Sequence, residues 1–158
     1  MSQLSSQNYL DEIKTKWVNA HKYMMELTAN TPDSLYHFRP TGESMTLQEQ
    51  IIHTGSNMIR LSNGQLQFNK IAKPEINVET ASPEETRSYL DAAFKYALQA
   101  IENESDASLN TISQNFFAGP KSHRQIINVM NDHVAHHRGQ IIVYLRLNGI
   151  SPPRYVGW

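Results

Sequence analysis

Cysteine is absent from this chain of 158 residues. Without cysteine the protein can form no disulfide, offer no thiolate ligand to a metal ion and use no cysteine nucleophile, although its absence does not fix the redox compartment. Any metal ion must therefore be held by histidine, aspartate or glutamate. A sulfur nucleophile, if the chemistry needs one, must come from outside the chain.

Neither sign of charge is in excess, and no long apolar run is present. The 14 Lys and Arg residues stand against 15 Asp and Glu, a net charge of -1, so no broad basic field exists to hold a nucleic-acid backbone. No apolar stretch approaches the roughly 18 residues that a membrane span needs, and the amino terminus lacks the pattern of a secretory signal. We expect a soluble, cytoplasmic protein that binds neither nucleic acid nor membranes.

The length and the helix-start signals predict one all-α domain covering residues 1–158. A chain of this size is long enough to bury a single core. Three helix starts carry capping boxes, in which a Ser or Thr side chain caps free N–H groups and a Glu or Gln three residues later bonds back. These pairs are Thr46 with Glu49, Ser82 with Glu85 and Ser122 with Gln125.

Apolar residues at three- and four-residue spacing add an earlier helix and complete a predicted four-helix bundle without a sheet. The predicted spans are 6–29, 46–66, 83–104 and 122–148. The connections between them are longer than those that usually join bundle helices. A simple array of up-down hairpins is therefore not assured, and a connection across the end of the bundle is the alternative. After Pro152 and Pro153 the tail cannot continue the last helix, and we expect Tyr155 and Trp158 to pack on the bundle or on a second subunit.

Three of the chain's 7 histidines fall within the short segment DHVAHHRGQ, residues 132–140. Because a helix turns about 100° per residue, His133 and His137 stand one above the other, with Cβ atoms roughly 5–6 Å apart. On the helical wheel both lie at or beside the apolar face, whereas His136 points outward. The cluster thus divides into two inward histidines and one outward.

Two interpretations compete for the inward pair. A lone inward histidine is more often a core residue that is hydrogen-bonded to a carbonyl or a carboxylate. A pair four residues apart instead favours a divalent ion, which binds one nitrogen of each ring and leaves the other free to donate a hydrogen bond. Spacing alone leaves both interpretations open, because the HxxxH pattern is short and has many chance matches.

A third metal ligand must come from elsewhere in the chain, and the residues alone leave its identity open. The candidates are His21, His37, His53 and His123, with Glu49 and Asp132 as acidic alternatives. His123 lies about 15 Å from His133 along the same helix and cannot easily converge with it. On the wheel of the second helix, His53 lies near 240° from Leu47, on the flank of the apolar stripe.

Several motifs in order resemble the DinB-like superfamily, also described as DinB/YfiT-type metalloproteins. They are TLQEQIIHTG in the second predicted helix, DHVAHHRGQIIVYLRLNGI in the fourth and SPPRY after it. The resemblance extends over most of the chain and includes the segments FRPTGESMT and FFAGPKSHR. The family commonly has tryptophan near the start of helix two, where this chain has Met45.

The resemblance implies a four-helix bundle of up-down-down-up order, often dimeric, that carries a divalent metal ion on three histidines. By position the ligands would be His53, His133 and His137, with Zn²⁺ or Ni²⁺ as the expected ion. Three neutral histidines leave at least one coordination position open. The resemblance points to a thiol S-transferase that uses a low-molecular-weight thiol. The alternatives are a non-catalytic metal- or ligand-binding module and a metal-dependent hydrolase.

The segment after the histidine pair, Arg138-Gly139-Gln140, also looks like the family pattern. Glycine inside a helix costs roughly 1 kcal/mol relative to alanine, so we expect tight packing at Gly139, with the approach of a ligand as the alternative. Arg138 and Gln140 are interpreted as solvated residues of the helix surface. The alternative is that they orient an anionic or polar substrate.

Overall fold

The computed structural model describes residues 7–156, with side chains from residue 9 onward, so Ser6 and Trp158 lie outside it. Four helices dominate it: α1 (Gln7–Ala29), α2 (Leu47–Gly64), α3 (Pro83–Glu102) and α4 (His123–Leu147). The bounds of α2, α3 and α4 agree with the predicted spans to within two residues. Two short 3₁₀ turns, Asp33–Leu35 and Ser108–Asn110, lie in the connections.

All three predicted capping boxes are present. In each, the Ser or Thr oxygen accepts a hydrogen bond from the backbone N–H three residues later, and the side chain of that later residue accepts one from the backbone N–H of the cap. These reciprocal bonds satisfy backbone groups that a helix start otherwise leaves unpaired. The starts of α2, α3 and α4 are therefore fixed by local sequence.

The helices pack in the cyclic order α1, α3, α2, α4, which places α1 and α2 at diagonal positions. The connection between them therefore crosses the end of the bundle. Tyr9, near the start of α1, donates a hydrogen bond of 2.9 Å to Asn128, near the start of α4. Farther along both helices, the Arg138 guanidinium lies over the ring of Tyr23. Helices α1 and α4 therefore run parallel.

Helices α2 and α3 run parallel to each other and antiparallel to α1. Residues later in α1 contact residues earlier in α3, so these two helices are antiparallel. Residues later in α2 contact residues later in α3, so these two helices are parallel. The bundle consequently has the up-down-down-up order that the resemblance implied. The pairs that set these directions are Trp17 with Phe94, His21 with Asp91, Gln48 with Thr86, and Ser56 with Tyr89.

The core lies between the four helices, and two helices approach closely at Gly55 rather than at Gly139. A Cβ atom on Gly55 would lie 2.8 Å from Cε1 of Tyr89 and 3.3 Å from Cβ of Ala93. At Gly139, apart from the adjacent residues and the nearby backbone of α4 itself, no atom of the described residues lies within 4 Å of the place that a Cβ would take. The expectation of tight packing at Gly139 was wrong, because this part of α4 faces solvent.

A small ribbon before α4 contradicts the expected absence of any sheet. Strand β1 (Ile112–Ser113) pairs antiparallel with strand β2 (Lys121–Ser122). The chain reverses between them through Gly119, whose φ of 85° lies in the left-handed region that favours glycine. The long connection doubles back here, and the pairing satisfies backbone groups that no helix uses. The fold remains a four-helix bundle.

The tail after α4 contacts the bundle at Pro153, whereas Tyr155, expected to pack there, is largely exposed. The Tyr23 hydroxyl donates a hydrogen bond of 3.1 Å to the carbonyl oxygen of Pro153. The guanidinium of Arg138 lies 5.9 Å from the centre of the Tyr155 ring, although this ring is 66% exposed. Across residues 7–156, none of the helices combines the length and the apolar character that a membrane crossing requires.

Candidate metal centre

Three histidine rings from α2 and α4 converge at one point of the bundle. The Nε2 atom of His133 lies 3.1 Å from Nε2 of His53 and 3.1 Å from Nε2 of His137. One nitrogen from each ring lies within 4.8 Å of the other two. In the described part of the chain, no other group of three His, Asp or Glu side chains comes together in this way.

His53 reaches this point although the apolar stripe of α2 points elsewhere. Helix α2 packs on both α3 and α4, so it is buried on two sides. Gln50 and His53, three residues apart and thus neighbours on the helix surface, both contact α4. The helical wheel of α2 places His53 on the flank of the apolar stripe, because only apolar residues define that stripe. Polar residues of α2, Gln50 and His53, also contact α4.

His133 and His137 of α4 face the bundle, as the helical wheel predicted. His137 is buried, with 7% of its surface exposed, and His133 is half-buried. His136 is exposed, and its ring centre lies 4.9 Å from that of His137. It does not belong to the group of three converging nitrogens.

A hydrogen-bond network extends from the far side of His137. Its Nδ1 atom lies 2.5 Å from Oε1 of Gln50, whose Nε2 donates to Gln140 Oε1 at 2.5 Å and to the Tyr144 hydroxyl at 3.2 Å. The Tyr144 hydroxyl donates in turn to the carbonyl oxygen of Met45 at 2.9 Å.

The interpretation of Gln140 as a solvated residue was wrong, because this residue is half-buried and belongs to the network. Sequence reasoning also missed Gln50 and Tyr144. The available signal was helical spacing, because Gln50 lies three residues before His53 and Tyr144 lies seven residues, two turns, after His137.

Burial keeps the three imidazoles uncharged. It lowers the pKa of His133 to about 3, with the neighbouring His137 and His53 acting in the same direction. It lowers the pKa of His137 to about 4, helped by His53 and His136. The pKa of His53 is lowered by burial and by the positive charge of Arg60. At neutral pH all three rings are therefore in the uncharged form that metal ligation requires.

The three nitrogens fit a divalent cation better than they fit shared protons. A hydrogen on Nε2 of His133 can be donated to only one of its two neighbours, and the buried Nδ1 of the same ring has no hydrogen-bond partner among the described residues. A cation instead accepts a lone pair from each ring. Neutral imidazole nitrogens suit ions such as Zn²⁺ and Ni²⁺.

The other candidates for a third ligand have different surroundings. None of them belongs to the converging group. His21 lies 2.8 Å from Asp91, His123 lies 3.0 Å from Glu104, Glu49 closes the capping box at Thr46, and His37 and Asp132 are exposed.

Arg138 is not a freely solvated residue of the helix surface either. It is half-buried between α4 and α1, with its guanidinium 5.4 Å from the centre of the Tyr23 ring. This contact combines a cation–π attraction with burial of the arginine stem. Arg138 therefore ties α4 to α1.

Comparison with known proteins agrees with this geometry. The family model of the DinB superfamily matches residues 16–141, which include all three converging histidines. The chain belongs to the DinB superfamily. No curated protein matches the sequence significantly.

Two solved structures of DinB-like proteins share the fold. One, from Bacillus subtilis, has a TM-score of 0.73 and 16% identity, with 91% of this chain and 96% of that chain covered. The other, from Bacillus cereus, has a TM-score of 0.77 and 17% identity, with 92% and 97% covered. At such low identity the likeness shows the fold alone.

Proposed function

We propose that this DinB-superfamily protein binds a divalent metal ion, Zn²⁺ or Ni²⁺, through His53, His133 and His137 and activates a low-molecular-weight thiol for transfer to an electrophile. The observation that carries the proposal is the convergence of three uncharged Nε2 atoms from two helices. A divalent ion held by three neutral ligands keeps its full positive charge and lowers the pKa of a thiol or of water at its open position.

The three converging histidines, His53, His133 and His137, form a triad that is partly exposed on one side and hydrogen-bonded on the other. His53 and His133 are half-buried, whereas His137 is buried and is held from behind by Gln50. A small molecule would approach the centre from the side of His53 and His133, whose rings are partly exposed. The hydrogen bond to Gln50 holds the His137 ring in place, and catalysis needs ligands that are held in position.

A thiol from outside the chain fits the composition and the family resemblance. The protein has no cysteine that could serve as the sulfur nucleophile. In the proposed transfer the thiol proton is released to solvent and the sulfur forms a bond to the electrophilic carbon. The leaving group departs with the electron pair of the broken bond. The products are a thioether and the leaving anion.

The proposal is tested with metal-loaded protein, a panel of cellular thiols and a chlorinated nitroarene as the electrophile. We expect chloride release and thioether formation that require both the thiol and the metal and that are lost in His137→Ala. His37→Ala, which changes an exposed histidine of the α1–α2 connection, is the matched control and should keep the activity.

Two other results would contradict the transferase. Chloride release that needs the metal but no thiol would identify a hydrolase. No turnover with any thiol, together with no thiol-induced change in the spectrum of cobalt-substituted protein, would identify a module that binds metal without catalysis.

A further inference from the structure

We infer that the backbone carbonyl of Met45, acting through Tyr144 and Gln50, fixes His137 in the tautomer that leaves its Nε2 atom free to bind metal. This inference rests on the proposed metal binding at the triad. It makes Gln50 and Tyr144 positioning residues of the centre, because they act on the metal through His137.

The Met45 carbonyl sets the direction of the first hydrogen bond. A carbonyl oxygen can only accept, and a tyrosine hydroxyl has one hydrogen. The Tyr144 hydroxyl, 2.9 Å from the Met45 oxygen, must therefore donate to it. Its oxygen then has only lone pairs left for other partners. The Gln50 atom that lies 3.2 Å away must be the donor, which is the amide nitrogen.

The orientation of the Gln50 amide then determines where the hydrogen of His137 lies. With its nitrogen toward Tyr144, the amide presents its oxygen to Nδ1 of His137 at 2.5 Å. An amide oxygen only accepts, so Nδ1 must carry the hydrogen. A neutral imidazole has one ring hydrogen, and Nε2 is therefore left with a free lone pair toward the triad. The second amide hydrogen of Gln50 goes to Gln140 Oε1, which agrees with the same amide orientation.

A neutral acceptor behind His137 suits a metal centre in which the positive charge of the ion is not reduced by nearby carboxylates. A partner behind a ligating histidine holds its ring and its tautomer, and removing such partners typically weakens metal binding about 10- to 100-fold. Gln50 supplies an acceptor without adding a negative charge. His133 has no comparable partner, since none of the described residues hydrogen-bonds its Nδ1 atom. His137 is thus the ligand that the network prepares.

The first test is zinc affinity, measured by competition with a chromophoric chelator. We expect Gln50→Leu to bind zinc roughly 10- to 100-fold more weakly than the unchanged protein. Tyr144→Phe should also bind zinc more weakly than the unchanged protein. Gln50→Glu restores an acceptor toward Nδ1 and should bind zinc more tightly than Gln50→Leu. Circular dichroism verifies that each variant is folded.

Two matched controls separate positioning from a loss of packing. Tyr96→Phe removes another buried hydroxyl that donates to a backbone carbonyl, that of Phe68 at 2.8 Å. Gln48→Leu removes another buried glutamine of α2, whose amide donates to Ala81. Both controls should keep the zinc affinity of the unchanged protein. Equal losses in the controls and in the test variants would overturn the inference.

The second test reads the tautomer directly in metal-free protein. In ¹⁵N-histidine NMR spectra at neutral pH, we expect His137 to carry its hydrogen on Nδ1, and this preference to weaken in Gln50→Leu and Tyr144→Phe. A hydrogen on Nε2 in the unchanged protein would overturn the inference even if zinc binds. Failure of the unchanged protein to bind zinc, with the expected tautomer observed, would instead overturn the proposed metal site.

Discussion

At the scale of single residues, His133 and His137 differ although they occupy successive turns of one helix. The Nδ1 atom of His137 is bonded to Gln50, whereas that of His133 is buried without a partner in the described residues. Burial nevertheless lowers the pKa of both rings, to about 3 for His133 and to about 4 for His137. In the metal-free protein, both imidazoles therefore stay uncharged at mildly acidic pH values at which a solvent-exposed histidine would be protonated.

These lowered pKa values predict that the metal-free protein loses stability in mild acid. Below the usual histidine pKa of about 6.5, the unfolded chain takes up protons that the folded chain excludes, so folding becomes less favourable as the pH falls toward about 4. Each such histidine contributes a slope of up to about 1.4 kcal/mol per pH unit, and little change is expected above pH about 7.

Urea unfolding in the presence of a chelator, at several pH values between neutrality and mild acid, measures this dependence. His133→Leu is the control, since it removes one of the excluded protonation sites and should give a shallower slope. An unfolding free energy with the same pH dependence in both proteins would show that His133 is protonated in the folded chain as readily as in the unfolded one.

At the scale of helices, local signals predicted the elements well. Three capping boxes placed the starts of α2, α3 and α4, because those bonds are made within four consecutive residues. The i, i+4 spacing likewise oriented His133 and His137 correctly. The ribbon before α4 escaped prediction, because it depends on how a long connection folds back rather than on periodicity.

The orientation of His53 could not be predicted from the sequence of α2 alone. His53 points toward α4 because α2 is covered by α3 and by α4, and the sequence of α2 does not reveal which helix covers which side. The resemblance to the DinB-like superfamily supplied this residue, and the structure places it beside His133. Gln50 remained unnoticed for the same reason, since its partners lie 87 to 94 residues away.

Two helical glycines give opposite predictions for substitution by alanine. Gly139→Ala should stabilise the protein by about 0.5–1 kcal/mol, because alanine is the better helix former and no described atom lies near the added methyl group. Gly55→Ala should destabilise it by about 1–3 kcal/mol, because its methyl group would collide with the ring of Tyr89.

Urea unfolding of the two variants beside the unchanged protein measures both effects. The pair is informative because the substitution is the same and both sites are helical, so the difference reports packing alone. A destabilising Gly139→Ala would mean that this surface of α4 is covered in solution. A neutral Gly55→Ala would mean that α2 and α3 separate easily.

At the scale of the whole molecule, the helix order creates the candidate metal centre. Since α2 and α4 are adjacent and antiparallel, His53 meets a pair of residues 80 and 84 positions later in the sequence. The lengths of the connections argued against a simple hairpin array, but they could not select one order, because that choice depends on contacts between all four helices. The contacts establish the up-down-down-up order, and the family resemblance implied it.

The metal content per chain of four alanine variants, prepared side by side, tests the proposed metal centre most directly. His53→Ala, His133→Ala and His137→Ala each remove one of the converging nitrogens and should lose the metal, whereas His136→Ala should retain it, because His136 lies outside the group. Metal bound per chain is measured by mass spectrometry after loading with zinc and removal of unbound ion, with circular dichroism to confirm folding. Loss of metal from His136→Ala together with its retention in folded His53→Ala would contradict the proposed centre.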